Sequence, residues 1–197
     1  MKFFLSLISL CALSANAQAL SLGSEMPASV TKVEMLGTDG AKVSLEKIKS
    51  TKGTLVFFTC NHCPYSKAWE ERYAQLGNEI KAKGIGVVAI NPNNPEKQSE
   101  DSLDNMKKKA QRLKMNFGYV VDEGSKLAKA FGATKTPEFY LFDAKGKLVY
   151  TGAFDDSKNA SDVEEKFLAS AVDAMLAGKP IAKAETRAVG CGIKFWN

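Results

Sequence analysis

Short continuous runs of apolar residues alternate along this chain with longer stretches in which apolar residues recur every three or four positions. The continuous runs are typical of strands buried on both faces, and the three- and four-residue spacing is typical of amphipathic helices. The predicted strands are residues 30–36, 41–45, 55–59, 85–90, 117–122, 137–143 and 147–154. The predicted helices are residues 64–83, 102–115, 125–131 and 161–176.

Two of the links between these segments are typical of β-hairpins. The sequence GTDG separates the first two predicted strands, and AKGK separates the last two. Glycine and aspartate in such short polar links favour tight turns between antiparallel strands. Between the hairpins, strands alternate with helices, as parallel strands joined by helical crossovers do. The predicted fold class is therefore α/β, with a central mixed sheet flanked by helices and an N-terminal β-hairpin.

The N-terminal segment, residues 1–19, has the pattern of a secretory signal peptide. Lys2 precedes an apolar stretch over residues 3–13, and alanines follow at positions 15, 17 and 19. A basic start, a short apolar stretch and an A-x-A site are the features of such a signal. The apolar stretch is shorter than the roughly 20 residues that a membrane-spanning helix needs. We therefore predict one domain over residues 20–197, periplasmic or otherwise exported, with no stable membrane insertion after cleavage.

Charge adds no further class of partner. The full chain has a formal net charge of +5, and its lysines are interspersed with acidic residues. The lysine run at 107–109 belongs to a helical stretch that also carries Asp101 and Asp104. Mixed charges of this kind are typical of a solvated helix face. We therefore predict no nucleic-acid partner.

The candidate chemistry starts with two cysteines separated by two residues. Cys60 and Cys63 follow the predicted strand 55–59 and precede the helix 64–83, in the sequence VFFTCNHCPYSKAWEERY. His62, the only histidine of the chain, lies between them. Open α/β sheets place their functional groups at the carboxyl ends of the strands. The pair is therefore expected at the functional edge of the sheet.

Several roles are open to this pair. A structural zinc site takes four ligands, so it would need all three cysteines of the predicted domain and its one histidine. His62 would then have to turn toward the same ion as both neighbouring cysteines, and Cys191 would have to arrive from 128 residues away. A covalently attached haem needs a histidine directly after the second cysteine, where this chain has Pro64. A permanent disulfide over so short a loop would constrain the unfolded chain little. A copper-handling protein that uses Cys60, His62 and Cys63 is kept as an alternative, but we predict no bound metal and no cofactor.

Reversible thiol–disulfide exchange explains the spacing. A helix N-terminus stabilises a thiolate, and a second cysteine nearby can resolve the mixed disulfide that the first one forms. We predict that Cys60 attacks a partner's disulfide and that Cys63 resolves it. His62 is expected to lower the pKa of Cys60 and so to make the couple more oxidising. The alternative for His62 is a surface position without a tuning role.

Several stretches resemble one known group of proteins, namely FFTCNHCPYSKAWEERY, GVVAINPNN, EDSLDNMKKKA, VVDEGSKLAKAFGATKTPEFYLFDAKGKLVYTGAFDDS and AVGCGIKFW. They resemble the thioredoxin-like superfamily, and within it the redoxin group related to alkyl hydroperoxide reductase and thiol-specific antioxidant proteins. The resemblance implies a thioredoxin-like fold with an inserted strand–helix unit before the last hairpin. It also implies that Pro137 is cis and faces the cysteines, and that the Thr136 backbone is free to pair with an extended substrate.

The chain departs from the peroxiredoxin pattern within this group. Peroxiredoxins carry P-x-x-x-T/S-x-x-C, and aligning Cys63 with the reactive cysteine places Val56 at the proline and Cys60 at the threonine. The arginine expected in a peroxidatic pocket has one candidate nearby in sequence, Arg72. A thiol peroxidase is therefore kept as an alternative function.

The strand before the cysteines also lacks the buried acid that thioredoxin has there. Glu70 on the helix that follows the cysteines and Glu138 next to Pro137 are the candidate proton-handling groups. The alternative for both is an ordinary surface carboxylate.

A third cysteine of the predicted domain, Cys191, lies in AVGCGIKFW near the C-terminus. Its flanking glycines allow the backbone to approach another element closely, and Phe195 and Trp196 are expected to anchor the tail on the domain. Cys191 is either a third redox cysteine that exchanges with Cys60 or Cys63, or a buried free thiol.

The function predicted from these features is an exported thiol–disulfide oxidoreductase that acts through Cys60 and Cys63. Its expected partners are protein thiols and disulfides, together with an upstream electron donor or acceptor.

Overall fold

The computed structural model describes residues 19–197. The predicted signal peptide, residues 1–19, lies outside the described residues except for Ala19. The strands are β1 (Met35–Leu36), β2 (Lys42–Val43), β3 (Thr54–Phe58), β4 (Gly86–Asn91), β5 (Gly118–Val121), β6 (Lys135–Thr136), β7 (Glu138–Phe142), β8 (Leu148–Gly152) and β9 (Cys191–Gly192). The helices are α1 (Leu45–Ile48), α2 (Pro64–Ala82), α3 (Leu103–Arg112), α4 (Lys126–Phe131) and α5 (Phe167–Leu176).

A five-stranded sheet forms the centre of the fold, in the order β5-β4-β3-β7-β8. Strands β3, β4 and β5 are parallel, whereas β7 is antiparallel to both β3 and β8. The parallel strands are connected through α2 and α3, and β4 with α3 forms the expected strand–helix unit between the cysteines and the last hairpin. The predicted central mixed sheet is therefore confirmed.

The apolar run of β3 is buried along its whole length. Leu55 and Phe57 face one side of the sheet, where they pack with side chains of α2, α3 and α5. Val56 and Phe58 face the other side, where they pack with side chains of α1 and α4. Helices thus cover both faces of the sheet, which explains why this strand shows no alternation of polar and apolar residues.

The N-terminal hairpin is present but much shorter than predicted. Its strands contain two residues each, and Leu45, predicted as the end of the second strand, is instead the first residue of α1. Val30, predicted to begin the first strand, lies in a turn in which its N–H donates to the Pro27 carbonyl, 3.1 Å away. Some apolar residues of this region are buried in turns and in a short helix rather than in strands. The strands predicted from apolar residues alone were therefore too long.

The last helix begins at Phe167, six residues later than predicted. Residues Ala160–Asp162 form one turn of 3₁₀ helix, and the chain then runs irregularly to α5. This irregular segment is tied to the loop after β8, because the Asp156 N–H donates to the Glu165 carbonyl, 3.2 Å away. Val163 is therefore not part of the inward helix face that the sequence suggested.

Two small antiparallel sheets accompany the central one, β1 with β2 and β6 with β9. The pairing of β9 with β6 was not predicted. It brings the C-terminal segment to the edge of the fold where the cysteines lie. None of the helices within residues 19–197 is long and apolar enough to cross a membrane.

Candidate active site

The two cysteines lie at the predicted junction of a strand and a helix. Strand β3 ends at Phe58, and α2 begins at Pro64, so that Cys63 is the residue immediately before the helix. Proline suits this first helical position because its missing N–H would have no partner there. Both cysteine side chains are fully buried, and both are thiols.

Both sulfur atoms contact Thr136, which precedes Pro137. The Cys60 sulfur lies 3.1 Å from the Thr136 hydroxyl oxygen. The Cys63 sulfur lies 3.2 Å from the Thr136 carbonyl oxygen, to which the protonated Cys63 thiol donates. The peptide bond between Thr136 and Pro137 is cis, as the resemblance implied. The structure thus brings together four of the predicted site residues.

The first thiolate of the pair belongs to Cys63. A hydrogen bond from the Cys60 thiol, with further donors at Cys191 and the Ser66 N–H, overcomes the effect of burial and lowers the pKa of Cys63 to about 4. The pKa of Cys60 is raised by its hydrogen bond to Cys63, by burial and by the charge of Asp101. The direction is opposite to the one expected for Cys60, because the Cys60 thiol stabilises the Cys63 thiolate while burial and Asp101 disfavour a thiolate at Cys60.

His62 is held by a buried carboxylate rather than by the cysteines. Its Nδ1 atom lies 2.7 Å from an oxygen of Asp101. The same carboxylate accepts hydrogen bonds from the Asn61 N–H at 2.5 Å and from the Asn93 amide at 2.8 Å. The charge of Asp101 raises the pKa of Cys60, and His62 lies against this carboxylate, so tuning of Cys60 by His62 stays a prediction.

Asp101 is a site residue that the sequence analysis missed, because it was assigned to a solvated face. Its side chain is buried, and it connects the segment between the cysteines to the loop after β4. Ligand atoms of Cys60, His62 and Asp101 all lie within 4.8 Å of one another, so this group could hold a metal ion. Both Asp101 oxygens already accept hydrogen bonds, however, and we assign this carboxylate to the loop.

We expect Asp101→Asn to lower the pKa of Cys60, because the substitution removes a buried negative charge that disfavours the thiolate. Alkylation of Cys60, followed by mass spectrometry as a function of pH, should then rise at lower pH than in the wild type. Asp104→Asn is the matched control, since Asp104 is exposed on the same stretch and pairs with Lys107. A Cys60 profile that does not move, or that moves to higher pH, would contradict this account.

Glu70 is buried rather than being a surface carboxylate. One of its oxygens pairs with Lys109 at 3.1 Å, and the other accepts from Arg112. Lys109 is itself buried, and its ammonium group donates to the carbonyl oxygen of Cys60, 2.8 Å away. The solvated lysine face predicted at 107–109 is therefore wrong for Lys109. This Glu70–Lys109 pair supports the backbone at the first cysteine.

Glu138 holds the turn before Pro137. One carboxylate oxygen accepts from the N–H groups of Thr134 and Lys135, at 3.0 and 3.1 Å, and the other accepts from the Tyr140 hydroxyl at 2.8 Å. Each oxygen thus has a partner away from the sulfur atoms. The geometry favours a structural role for Glu138 over proton handling.

The backbone of Thr136 is not free, in contrast to the expectation from the resemblance. Strand β9 pairs antiparallel with β6, with Cys191 opposite Thr136 and Gly192 opposite Lys135. Cys191 is half-buried, and the Thr136 carbonyl oxygen in the paired strand lies 3.2 Å from the Cys63 sulfur. Burial and the contact with Cys63 raise the pKa of Cys191 to about 11. The edge expected to receive a substrate is thus occupied by the chain's own C-terminal segment.

The arginine considered for a peroxidatic pocket is committed elsewhere. Arg72 pairs with Asp155 and donates to the carbonyl oxygens of Ser157 and Lys158, at 2.9 and 3.0 Å. The Trp69 indole donates to the same Asp155 carboxylate at 2.6 Å. Arg72 therefore anchors the loop after β8.

Comparison with known proteins places this architecture in a family. The family model described as the AhpC/TSA family matches residues 23–151, and the chain belongs to that family. The fold is thioredoxin-like, as the resemblance implied: a thioredoxin-like protein in its oxidised form is 22% identical, with a TM-score of 0.65, over 81% of this chain and 99% of that protein.

Three similar proteins illustrate the range of this family. An uncharacterized conserved protein from Geobacillus kaustophilus is 39% identical, with a TM-score of 0.82, over 90% of this chain and 93% of that protein. The thiol-disulfide oxidoreductase ResA of Halalkalibacterium halodurans is 25% identical over 120 residues, which are 60% of this chain and 64% of ResA. The chloroplastic peroxiredoxin Q of Sedum lineare is 27% identical over 133 residues, which are 63% of this chain and 67% of that protein.

Proposed function

We propose that this protein is an exported thiol–disulfide oxidoreductase that exchanges disulfides with protein thiols through Cys60 and Cys63. The observation that carries the proposal is the pair of buried thiols at the carboxyl edge of the sheet, both in contact with Thr136 at 3.1 and 3.2 Å. The lowered pKa of Cys63 agrees with it. A thiolate is the reactive form in exchange, and a second thiol in contact with it can resolve the product. The similarity to ResA supports the same class of activity.

The exchange can be written with these groups. The Cys63 thiolate attacks one sulfur of a partner's disulfide, the partner's S–S bond breaks, and the other partner sulfur leaves as a thiolate. Cys60 then loses its proton, its thiolate attacks the Cys63 sulfur, and the second partner sulfur leaves. The pair ends as a disulfide and the partner gains two electrons and two protons. This order is the reverse of the one suggested by the sequence, and it follows from the pKa directions.

Deprotonation of Cys60 becomes easier once Cys63 has formed the mixed disulfide, which is when Cys60 has to attack. The hydrogen bond to the Cys63 thiolate is the largest cause of the raised Cys60 pKa. Once Cys63 is part of a mixed disulfide it carries no charge, so this cause disappears. The pair therefore releases its second proton only after the first bond has formed.

A thiol peroxidase is the second candidate function. The similarity to peroxiredoxin Q and the low pKa of Cys63 favour it. Cys60 in place of the peroxiredoxin threonine and the commitment of Arg72 to Asp155 weigh against it. The grouping of Cys60, His62 and Asp101 is the one observation that favours a copper-handling function, and the hydrogen bonds to both Asp101 oxygens weigh against it.

The test uses one purified sample for both activities. We expect reversible formation of a Cys60–Cys63 disulfide in a glutathione redox series, and reduction of insulin disulfides faster than with dithiothreitol alone. We expect peroxide consumption with a thiol donor no faster than in a Cys60→Ser/Cys63→Ser double variant. Fast peroxide consumption without insulin reduction would reverse the choice between the two functions.

Export is proposed from the sequence of residues 1–19, in which the alanines favour cleavage after position 17 or 19. The N-terminus of protein recovered from the periplasm should then be Gln18 or Leu20. Recovery of a chain that retains Lys2 would contradict cleavage.

A further inference from the structure

The C-terminal segment lies where a substrate would have to lie. Strand β9 pairs with β6 directly beside the cysteines, with Cys191 opposite Thr136. The approach is so close that a Cβ atom at Gly190 would lie 2.2 Å from the Thr136 carbonyl oxygen and 2.7 Å from its carbon. Extended substrates bind such strand edges through backbone hydrogen bonds. The tail thus has the backbone geometry of a bound substrate.

The tail also carries a substrate's functional group. Cys191 is paired with Thr136, whose carbonyl oxygen lies 3.2 Å from the Cys63 sulfur and whose hydroxyl oxygen lies 3.1 Å from the Cys60 sulfur. Both Cys60 and Cys191 lower the pKa of Cys63, so the three sulfurs meet at this residue. Cys63 therefore lies between two possible disulfide partners. The sulfurs differ in exposure, because Cys60 and Cys63 are fully buried whereas Cys191 is half-buried. Cys191 is the outermost of the three.

Hydrogen bonds on both sides fix the register of the tail. The Ile193 N–H donates to the Thr134 carbonyl at 3.1 Å, and the Lys194 N–H donates to the Asn93 side chain at 2.7 Å. Asn93 in turn donates to Asp101, which holds the segment between the cysteines. The same loop thus positions the tail and the cysteine pair.

We propose that Cys191 is a third redox cysteine, which carries the disulfide from the buried Cys60–Cys63 pair to the surface as a Cys63–Cys191 disulfide. The proposal rests on the proposed function. The strand pairing presents Cys191 to Cys63 in the manner of a partner's cysteine. A folded partner can then react at a half-buried sulfur.

The chemistry is an internal exchange that needs no additional oxidant. In the oxidised pair, Cys191 loses its proton to solvent and its thiolate attacks the Cys63 sulfur. The Cys60–Cys63 bond breaks, and Cys60 leaves as a thiolate and takes up a proton. A partner's thiolate then attacks the Cys191 sulfur, and Cys63 leaves as a thiolate. Each step forms one bond between sulfur atoms and breaks one.

The decisive variant is Cys60→Ser, which removes the competing disulfide. In a glutathione redox series, most molecules of this variant should form a Cys63–Cys191 disulfide, seen by alkylation, digestion and mass spectrometry. The bridge should form at least as fast as the oxidised wild-type protein oxidises a peptide dithiol. Absence of the bridge, or slower formation, would overturn the relay, provided that circular dichroism shows the reduced variant to be folded.

Two glycines flanking Cys191 give a matched pair of variants in the Cys60→Ser background. Gly190→Ala places a Cβ against the Thr136 backbone, whereas a Cβ at Gly192 meets nothing within 4 Å. We expect Gly190→Ala to slow formation of the Cys63–Cys191 bridge about tenfold, because the tail is then tethered rather than docked. Gly192→Ala should leave the rate unchanged. Equal rates in the two variants would show that docking does not matter.

The rate of turnover distinguishes a redox role of Cys191 from a C-terminal segment that only blocks access to the cysteine pair. Cys191→Ser, with the other cysteines intact, should slow oxidation of a peptide dithiol by the oxidised protein and leave the Cys60–Cys63 disulfide in place. Unchanged or faster turnover would mean that the tail only blocks the site, and the relay would be wrong while the proposed function stands. If the wild-type pair forms no disulfide at all, it is the proposed function that fails.

Discussion

Replacing Lys109 with methionine is expected to lower the free energy of unfolding by about 3 kcal/mol, the low end of the cost of breaking a buried ion pair. Lys109 is 5% exposed and pairs with the buried Glu70. Its ammonium group also donates to the Cys60 carbonyl, and it lies 5.7 Å from the centre of the Tyr73 ring. Methionine fills similar space but leaves Glu70 and the carbonyl without this partner. Urea denaturation of the reduced protein measures the loss.

Arg112 is the reason that the expected loss in the free energy of unfolding lies at the low end of the cost of breaking a buried ion pair. It still pairs with Glu70 in the variant, so the carboxylate is not left without a cation. Adding Glu70→Gln to Lys109→Met removes the remaining buried charge, and we expect the double variant to recover part of the stability.

The neighbouring Lys108 provides the control, because it is exposed on the same helix. Lys108→Met should change the free energy of unfolding by less than about 0.5 kcal/mol. A Lys109→Met variant as stable as Lys108→Met would show that the pair contributes nothing to the fold.

The sequence could predict the elements that depend on residues close together in the chain. The apolar run of β3 and the spacing of Trp69, Tyr73 and Ile80 on α2 are local patterns, and both elements were found with the cysteines between them. A carboxyl-edge position for the cysteines followed from the strand-to-helix junction alone.

The features that sequence could not predict depend on contacts between distant positions. His62 and Asp101 are 39 residues apart, and a carboxylate in a polar stretch gives no local signal that it will be buried. The two-residue strand β9 is too short to show any periodicity, and only its flanking glycines indicated a close approach. For the same reason Lys109 could not be distinguished from its exposed neighbours in the lysine run.

The order of attack within the pair gives the other large expected effect, and serine variants isolate each sulfur. In Cys60→Ser/Cys191→Ser only Cys63 remains of the three, and serine hydroxyls still occupy the donor positions around its sulfur. In Cys63→Ser/Cys191→Ser only Cys60 remains, and it is still buried and close to Asp101. The tail cysteine is absent from both variants, so it cannot resolve a mixed disulfide.

We expect Cys63 to react with iodoacetamide roughly fifty-fold faster than Cys60 at about pH 5, because the fraction of thiolate favours Cys63 more than its lower nucleophilicity opposes it. The Cys63 rate should level off just above its pKa of about 4, whereas the Cys60 rate should keep rising with pH. The Cys60→Ser/Cys191→Ser variant should also retain insulin as a mixed disulfide. If the other double variant reacts faster and retains insulin instead, Cys60 is the attacking cysteine, and the order inferred from the pKa directions is wrong.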